Sequence, residues 1–313
     1  MKKKLASTAL AAALALTTLG AAPSDAVEES VAKIERETLT TLNLRFDRLP
    51  PLAESLVYEG WVIIDGVPET SGRFNVDTRG RFIDENGNFI PKTVDFPDNP
   101  EIDAFVLTIE PAVGDDPAPA DTHILAGDFQ RNGRATLKVE HPAAFGQDFS
   151  DASGSYILAT PSNGNGDPLD ERSGVWFLDP AEGTPTLDLP DLPPGWEYEG
   201  WAVIDGTPVT TGKFTTATGP DGFNGFSGDQ PTPPFPGEDF LFNPPAGLTF
   251  PLDLRGETIA ITVEPSPDDS PAPFPIEPLF GRVPNQLDDH ELAELNRSLP
   301  NPKGRAWITT RRA

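Results

Sequence analysis

The sequence of 313 residues contains no cysteine, a single methionine and only three histidines. Without cysteine, the protein has no disulfide, no thiolate metal site and no cysteine nucleophile. Basic residues are also few, with 23 Lys and Arg against 49 Asp and Glu, for a net charge of −26. Because a surface this acidic repels nucleic acid and anionic membranes, we expect neither as a partner.

Long apolar runs are rare, and the one that is present lies at the N-terminus. Lys2–Lys4 precede an Ala- and Leu-rich stretch over residues 5–22, and small residues continue to Ala26. A basic start, a short apolar stretch and small residues before a cleavage point are typical of a secretory signal peptide. We therefore expect an extracytoplasmic protein, periplasmic or secreted. In the alternative, the stretch stays uncleaved and anchors the protein to the plasma membrane.

One block of sequence occurs twice. Residues 58–74, YEGWVIIDGVPETSGRF, return 140 positions later as residues 198–214, YEGWAVIDGTPVTTGKF. In both copies, an Asp-Gly turn separates two runs that are rich in β-branched and aromatic residues, which is the pattern of a β-hairpin. Such a repeat predicts two copies of one structural module.

The Asp-Gly turn also predicts which residues pair across each hairpin. With a two-residue loop, residue 61 pairs with residue 70 and residue 59 pairs with residue 72. Glu59 then shares a face with Trp61 and Phe74. A tryptophan on a face with aliphatic residues is typical of a core; the alternative is an exposed aromatic that contacts sugar or peptide.

A second pair of matching blocks lies downstream of the hairpins. Residues 107–111, LTIEP, match residues 261–265, ITVEP, and a Pro-Ala-Pro run follows each block. These blocks are 154 positions apart, so the second copy carries an insertion of 14 residues between Phe214 and Thr262. The strand spacing in each copy is that of a small β-sandwich.

These patterns predict an all-β fold of two β-sandwich-like modules, a central β segment and a short C-terminal helix. The helix is expected over Asp288–Ser298, with Leu292 and Leu295 on one face. The predicted organisation is a signal peptide (1–26), an N-terminal segment (27–40), module 1 (41–130), a central segment (131–183), module 2 (184–284) and a C-terminal helix and tail (285–313).

The repeated motifs resemble a known bacterial family. The Leu-Pro-Pro runs at Leu49–Pro51 and Leu192–Pro194, the Tyr-Glu-Gly-Trp hairpins and the Glu-Pro strand ends are similar to the extracytoplasmic domain of anti-sigma-K factors. In that family, the outer domain follows a membrane helix, and a cytoplasmic segment holds a sigma factor inactive. The resemblance covers residues 49–129 and 192–283 and implies two tandem copies without the sigma-binding segment, because only Lys2–Lys4 precede the apolar stretch. It implies a sensor or binding module for a protein partner in the cell envelope, which does not itself reach a cytoplasmic sigma factor.

No catalytic motif is visible, since the sequence has neither a Gly-x-Ser-x-Gly elbow nor a phosphate-binding loop. Glu59 and Glu199 would suit a glycosidase pair, but they occupy equivalent places in separate modules, which favours local roles. We therefore expect a non-enzymatic protein without a cofactor. The candidate partner-binding residues lie in the two hairpins and in the acidic, Pro-rich connectors after residues 111 and 265. They are Glu59, Trp61, Glu199, Trp201, Asp115, Asp116, Asp268 and Asp269.

One loop has oxygen-bearing side chains at the spacing of a calcium loop. Asn163, Asn165, Asp167 and Asp170 alternate in this way, although Glu171 comes too early for the full pattern. A solvated hairpin loop is the alternative. Calcium binding would instead indicate a secreted glycan- or calcium-binding matrix protein.

Overall fold

A computed structural model describes residues 38–96, 100–164, 170–267, 270–298 and 301–312. The fold of these residues is all-β, as predicted. The predicted signal peptide and most of the N-terminal segment lie outside the described residues. Within the described ranges, no helix has the length and apolar character needed to cross a bilayer.

The described residues form twenty strands and one short 3-10 helix, Pro161–Asn163. The first ten strands are β1 (Thr38–Asp47), β2 (Leu56–Ile64), β3 (Val67–Val76), β4 (Phe82–Ile83), β5 (Thr93–Phe96), β6 (Ala104–Pro111), β7 (His123–Asp128), β8 (Arg134–Lys138), β9 (Ser155–Leu158) and β10 (Gly174–Trp176). The remaining ten are β11 (Leu178–Asp179), β12 (Thr184–Pro185), β13 (Trp196–Ile204), β14 (Thr207–Phe214), β15 (Gly237–Asp239), β16 (Thr258–Pro265), β17 (Leu279–Arg282), β18 (Ala293–Glu294), β19 (Asn296–Arg297) and β20 (Lys303–Arg312).

The strands of module 1 lie in one nine-stranded sheet, in the order β4-β3-β2-β6-β7-β8-β20-β1-β5. This sheet extends beyond the predicted module boundaries. It takes in β8 from the predicted central segment and β20 from the predicted C-terminal tail. β20 pairs antiparallel with β1 along its whole length and with β8 on its other side. The C-terminal strand is therefore an interior strand of the first module's sheet.

The nine-stranded sheet curls so that distant strands enclose one core. Phe46 of β1 stacks on Phe74 of β3 and on Phe82 of β4, with ring centroids 5.8 and 5.7 Å apart. Phe74 and Phe82 are themselves 4.3 Å apart and parallel. β1 lies near one end of the strand order and β4 at the other, so these contacts close the curl. Burial of the three rings stabilises that closure.

Module 2 contains two sheets that share a core. One has five strands in the order β14-β13-β16-β17-β19, and the other has four in the order β15-β10-β9-β18. β9 and β10 come from the predicted central segment, and β15 comes from the insertion predicted between residues 214 and 262. Tyr156 of β9 belongs to the same buried cluster as Tyr198 and Ile261 of the five-stranded sheet. The central segment and the insertion thus complete a sandwich with the second repeat.

The predicted helix over Asp288–Ser298 is absent, and this prediction was wrong. His290 has a left-handed backbone conformation with φ of 59°, which ends helical structure. Beyond it, β18 pairs with β9 and β19 pairs with β17, so the segment joins the two sheets of module 2. Leu295 is buried there, whereas Leu292 is exposed. The three-residue spacing of these leucines suggested a helical face, but strand pairing determines which of them is buried.

The predicted hairpin register holds near the turn and then shifts by one residue. Trp61 pairs with Thr70, as predicted, but Glu59 pairs with Arg73 rather than with Gly72. A β-bulge between the two pairs inserts the extra residue. The second hairpin has a bulge at the equivalent position.

Glycines allow these bulges to form. Gly72 and Gly212 have φ values of 107° and 113°, which a residue with a Cβ adopts only under strain. The bulge also moves Phe74 to the other face of the hairpin, where its ring packs against Tyr58 at 5.7 Å between centroids. The prediction that Phe74 shares the face of Glu59 was therefore wrong.

A buried tyrosine identifies the equivalent prolines of the two copies. The Tyr58 hydroxyl donates to the carbonyl of Pro50 at 2.9 Å, and the Tyr198 hydroxyl donates to that of Pro190 at 2.6 Å. A buried hydroxyl needs such an acceptor. The structural counterpart of Pro50 is therefore Pro190, and not a proline of the Leu192–Pro194 run to which the sequence motif pointed.

Candidate functional site

Each module contains a buried hydrogen-bond network that runs from a tryptophan through a threonine to a glutamate. In module 1, Trp61 Nε1 donates to Thr108 Oγ1 at 3.0 Å, and this hydroxyl donates to Glu110 Oε1. Glu110 Oε1 also accepts from the backbone N–H of Ala120 at 2.9 Å. We call this arrangement the Trp–Thr–Glu network. It gives hydrogen-bond partners to the buried indole nitrogen and to Glu110 Oε1, while Glu110 Oε2 has no partner among the described residues, and it fastens the connector after β6 to the sheet.

Module 2 repeats the Trp–Thr–Glu network. Trp201 Nε1 donates to Thr262 Oγ1 at 2.8 Å, that hydroxyl donates to Glu264, and Glu264 accepts from the backbone N–H of Phe274 at 2.8 Å. The interpretation of Trp61 and Trp201 as core residues is confirmed, because they are 4% and 2% exposed. Neither ring is available to sugar or peptide in this conformation.

The paired glutamates of the hairpins each lie beside a cation of their own hairpin. Glu59 accepts a hydrogen bond from Thr70 Oγ1, and its Oε2 lies 3.7 Å from Arg73 Nε. Glu199 Oε2 lies 3.8 Å from Lys213 Nζ. Both glutamates are buried, and they lie in different sheets. Each carboxylate thus serves the geometry of its own bulged hairpin.

The connector of module 1, residues 112–122, is exposed but held in place by side chains. Arg73 donates to the carbonyl at the end of β6, and its Nη2 lies 3.7 Å from Asp115 Oδ2. Asp116 Oδ1 accepts from a backbone N–H two residues further on, at 3.0 Å. Val113 is 91% exposed. The connector therefore displays Val113 and the exposed carboxylate of Asp116 on a loop that the ion pair of Asp115 supports.

The predicted calcium loop is only partly described. Asn163 Nδ2 donates to Asp170 Oδ1 at 2.9 Å, so the two described candidates contact each other through an amide nitrogen rather than through two oxygens. In the described ranges, no group of three or more His, Cys, Asp or Glu side chains is arranged to hold a metal ion. Four predicted site residues lie outside the described residues: Asn165, Asp167, Asp268 and Asp269.

Two buried carboxylates and a half-buried one form a further cluster, which we call the acidic core of module 2: Glu238, Asp239 and Asp221. Asp239 accepts from the Ser162 backbone N–H and from Trp176 Nε1, both at 2.7 Å. Asp221 accepts from the Gly237 backbone N–H at 2.9 Å. Glu238 accepts from the hydroxyl of a serine in the insertion, while its Oε2 has no hydrogen-bond partner among the described residues.

Burial raises the pKa of all three carboxyl groups in the acidic core. Desolvation, opposed in part by hydrogen bonds, raises the pKa of Glu238 to about 7 and that of Asp221 to about 6, and it raises the pKa of Asp239 as well. The negative charge of neighbouring carboxylates adds to the rise at Glu238 and Asp239. The acidic core therefore binds protons more readily than an exposed cluster would.

Sequence reasoning missed the acidic core because it lies in the insertion, which has no counterpart in the first copy. One signal was present. Glu238 and Asp239 stand directly before Phe240 and Leu241, and a charged pair that borders an apolar pair is a candidate for burial. Only the pairing of β15 with β10 brings these carboxylates into the core.

Comparison with known proteins gives no match: no family model fits the chain, no curated protein matches its sequence and no solved structure matches its fold. The resemblance to anti-sigma-K factors rests on the sequence motifs alone.

Proposed function

We propose that the protein is an exported binding module that contacts a protein partner in the cell envelope, in a signalling role like that of the outer domain of anti-sigma-K factors. The observation that carries this proposal is the supported connector of module 1. The signal peptide predicted over residues 1–26 supports export. The duplicated modules support a binding role.

The connector has the properties of a recognition loop. Because Arg73 and the backbone contact of Glu110 hold it in place, binding costs little loss of loop freedom. Val113 supplies an exposed apolar contact, and the exposed Asp116 supplies negative charge that favours a basic partner surface and disfavours an acidic one. The proposed partner is thus an envelope protein with a basic extracytoplasmic patch.

The signalling part of the proposal follows from the resemblance. In this scheme the protein does not contact a sigma factor. It binds a membrane protein, and that protein passes the signal across the membrane.

Affinity capture from a native envelope fraction tests the proposal. The bait is residues 27–313, and the test variant combines Val113→Ser with Asp116→Asn, which leaves the ion pair between Arg73 and Asp115 in place. A matched control combines Glu69→Gln with Glu85→Gln, which removes two exposed charges from outside the connector. We expect one membrane protein to be enriched with the wild-type and control baits and at least tenfold less with the test variant. Equal capture by all three baits, or capture of no protein by the wild type, would refute the proposal.

A further inference from the structure

Three adjacent strands of module 1 carry a group of cations on their outer surface. β20 lies between β1 and β8, and paired residues of antiparallel strands point to the same side of a sheet. Arg305 of β20 pairs with Arg45, and Lys303 pairs with Lys138. Trp307 pairs with a further arginine of β8 on the same side. We call this surface the basic face; its residues are Arg45, Arg134, Lys138, Lys303, Arg305 and Trp307.

The basic face points to solvent, while the alternate residues of the same strands form the core. All five cations are exposed, and Trp307 is partly exposed. Leu44, Leu137 and Ala306, which alternate with them, are buried. Trp307 thus lies on the solvent side of the sheet, where its ring does not fill the core.

The charges on the basic face repel one another. Arg45 lies directly opposite Arg305, an arrangement that destabilises a sheet, whereas Lys303 and Lys138 are each paired with a carboxylate, Asp47 at 3.9 Å and Glu140 at 3.4 Å. Although acidic residues outnumber basic ones in this protein, Arg45, Arg134 and Arg305 have no carboxylate within 4.0 Å among the described residues. A ligand that brings negative charge would relieve this repulsion.

The basic face also has depth and neighbouring polar groups. A groove of about 660 Å³ runs over it, lined by four of the cations and by Asp47, Asp148 and Asn301. Neighbouring strands are about 4.8 Å apart, and alternate residues of one strand are about 7 Å apart. The cations therefore form a grid that can meet several anionic groups of an extended chain.

We propose that the basic face binds an acidic polysaccharide whose sugars carry carboxylates, such as a polymer of uronic acid. Guanidinium groups bind carboxylates in a bidentate manner, so Arg45 and Arg305 suit this anion. The indole of Trp307 offers a flat apolar surface for a sugar ring. Asp47 and Asn301 can exchange hydrogen bonds with sugar hydroxyls. This site is separate from the connector and goes beyond the proposed partner.

A phosphate polymer fits the same surface less well. Three carboxylates, of Asp47, Glu140 and Asp148, lie in the groove with the cations. They repel the phosphates of a phosphodiester chain, and those phosphates have no hydroxyl group that could donate a hydrogen bond to them. The net charge of −26 repels any polyanion, and the repulsion is strongest for duplex nucleic acid, which carries one charge per about 1.7 Å of helix axis. Sugar hydroxyls, in contrast, donate hydrogen bonds to carboxylates.

Calorimetric titration of residues 27–313 with an oligogalacturonate tests this inference, with neutral cello-oligosaccharide, polyphosphate and oligothymidylate as competing probes. The test variant combines Arg45→Gln with Arg305→Gln. The matched control combines Arg255→Gln with Arg282→Gln, two arginines of module 2. We expect the wild type and the control to bind oligogalacturonate, the test variant to bind at least tenfold more weakly, and Trp307→Phe to bind severalfold more weakly.

Thermal unfolding tests whether the test variant is folded. Because the substitution removes a like-charge pair, we expect its melting midpoint to equal or exceed that of the wild type. The inference is wrong if oligogalacturonate does not bind, if polyphosphate or oligothymidylate binds as tightly, or if the folded test variant binds like the wild type. Partner capture through the connector does not depend on these residues, so the two proposals can fail separately.

Discussion

The indole nitrogen of Trp61 lies 3.0 Å from the hydroxyl oxygen of Thr108 on the neighbouring strand and donates a hydrogen bond to it. Trp201 and Thr262 repeat this bond at 2.8 Å in module 2. In each copy the threonine hydroxyl donates a hydrogen bond to a buried glutamate. The same glutamate accepts a hydrogen bond from the backbone of a connector and so holds it in place. The repeated motif residues are therefore buried and stabilise the inside of each module. The connectors that they hold lie at the surface.

Removing the threonine hydroxyl should destabilise either module. In Thr108→Val and Thr262→Val, the indole N–H and the glutamate lose a buried partner, which costs about 1–3 kcal/mol in the free energy of unfolding. Urea denaturation measures this loss. Thr→Ser at the same positions keeps the hydroxyl and serves as the control. Valine variants as stable as the serine variants would show that the network does not stabilise the fold.

The two bulge glycines should differ in their response to alanine. Gly72→Ala meets no atom within 4 Å and costs only the strain of a positive φ, about 1–2 kcal/mol. Gly212→Ala costs more, because its Cβ would lie 2.3 Å from the Asp221 side chain. Urea denaturation of the two variants should therefore give the larger loss for Gly212→Ala. Equal losses would contradict the placement of Asp221 against the second bulge.

The acidic core should make the protein more stable in mild acid. The pKa of Glu238 rises from 4.5 to about 7 on folding, so the stability present below pH 4.5 is lost as the pH rises through 7. Asp221, with a folded pKa of about 6, acts in the same direction. We expect the melting midpoint measured by calorimetry to fall between pH 5 and pH 8.

A neutral isostere separates this effect from the general charge of the protein. Glu238→Gln should reduce the fall in the melting midpoint and melt above the wild type at pH 8. The exposed substitution Glu85→Gln is the control and should leave the pH dependence unchanged. If Glu238→Gln and the wild type show the same pH dependence, Glu238 does not titrate as described.

Module 1 should depend on the C-terminal strand. Deletion of residues 303–313 removes β20 and leaves β1 paired only with β5 and β8 paired only with β7, so each has one open edge, which favours unfolding or aggregation. Deletion of residues 311–313 alone removes only the last pairs with β1 and should be tolerated. Near-ultraviolet circular dichroism and thermal unfolding distinguish the two outcomes. A longer deletion that unfolds at the wild-type midpoint would contradict the sheet order.

The hairpins could be predicted because their information is local: an Asp-Gly turn, alternating side chains and a second copy. The bulge could not, because a single glycine with positive φ shifts the register without changing the residue pattern. The sheet membership of β20 depends on pairing with β1, more than 250 residues away in the sequence. The false helix arose for a similar reason, since the spacing of Leu292 and Leu295 carries no information about the strands that they meet.

In the candidate site, too, local features could be predicted from the sequence and long-range contacts could not. The sequence indicated Glu59, Trp61 and their repeats and favoured a core position for the tryptophans. Only the structure shows that each glutamate lies beside a cation of its own hairpin and that each tryptophan bonds to a threonine of the neighbouring strand. The basic face was missed because its cations come from three strands that are distant in sequence. The low count of basic residues gives no indication that several of them lie together in the folded protein.

Site-specific photo-crosslinking in intact cells tests the central claim most directly, that the connector of module 1 contacts an envelope protein. A photoreactive phenylalanine analogue replaces Val113, which is 91% exposed, and in a control replaces Phe89, which is 62% exposed and outside the connector. The account predicts a discrete adduct with one membrane protein from position 113 and none from position 89. No adduct from position 113, or the same adducts from both positions, would contradict it.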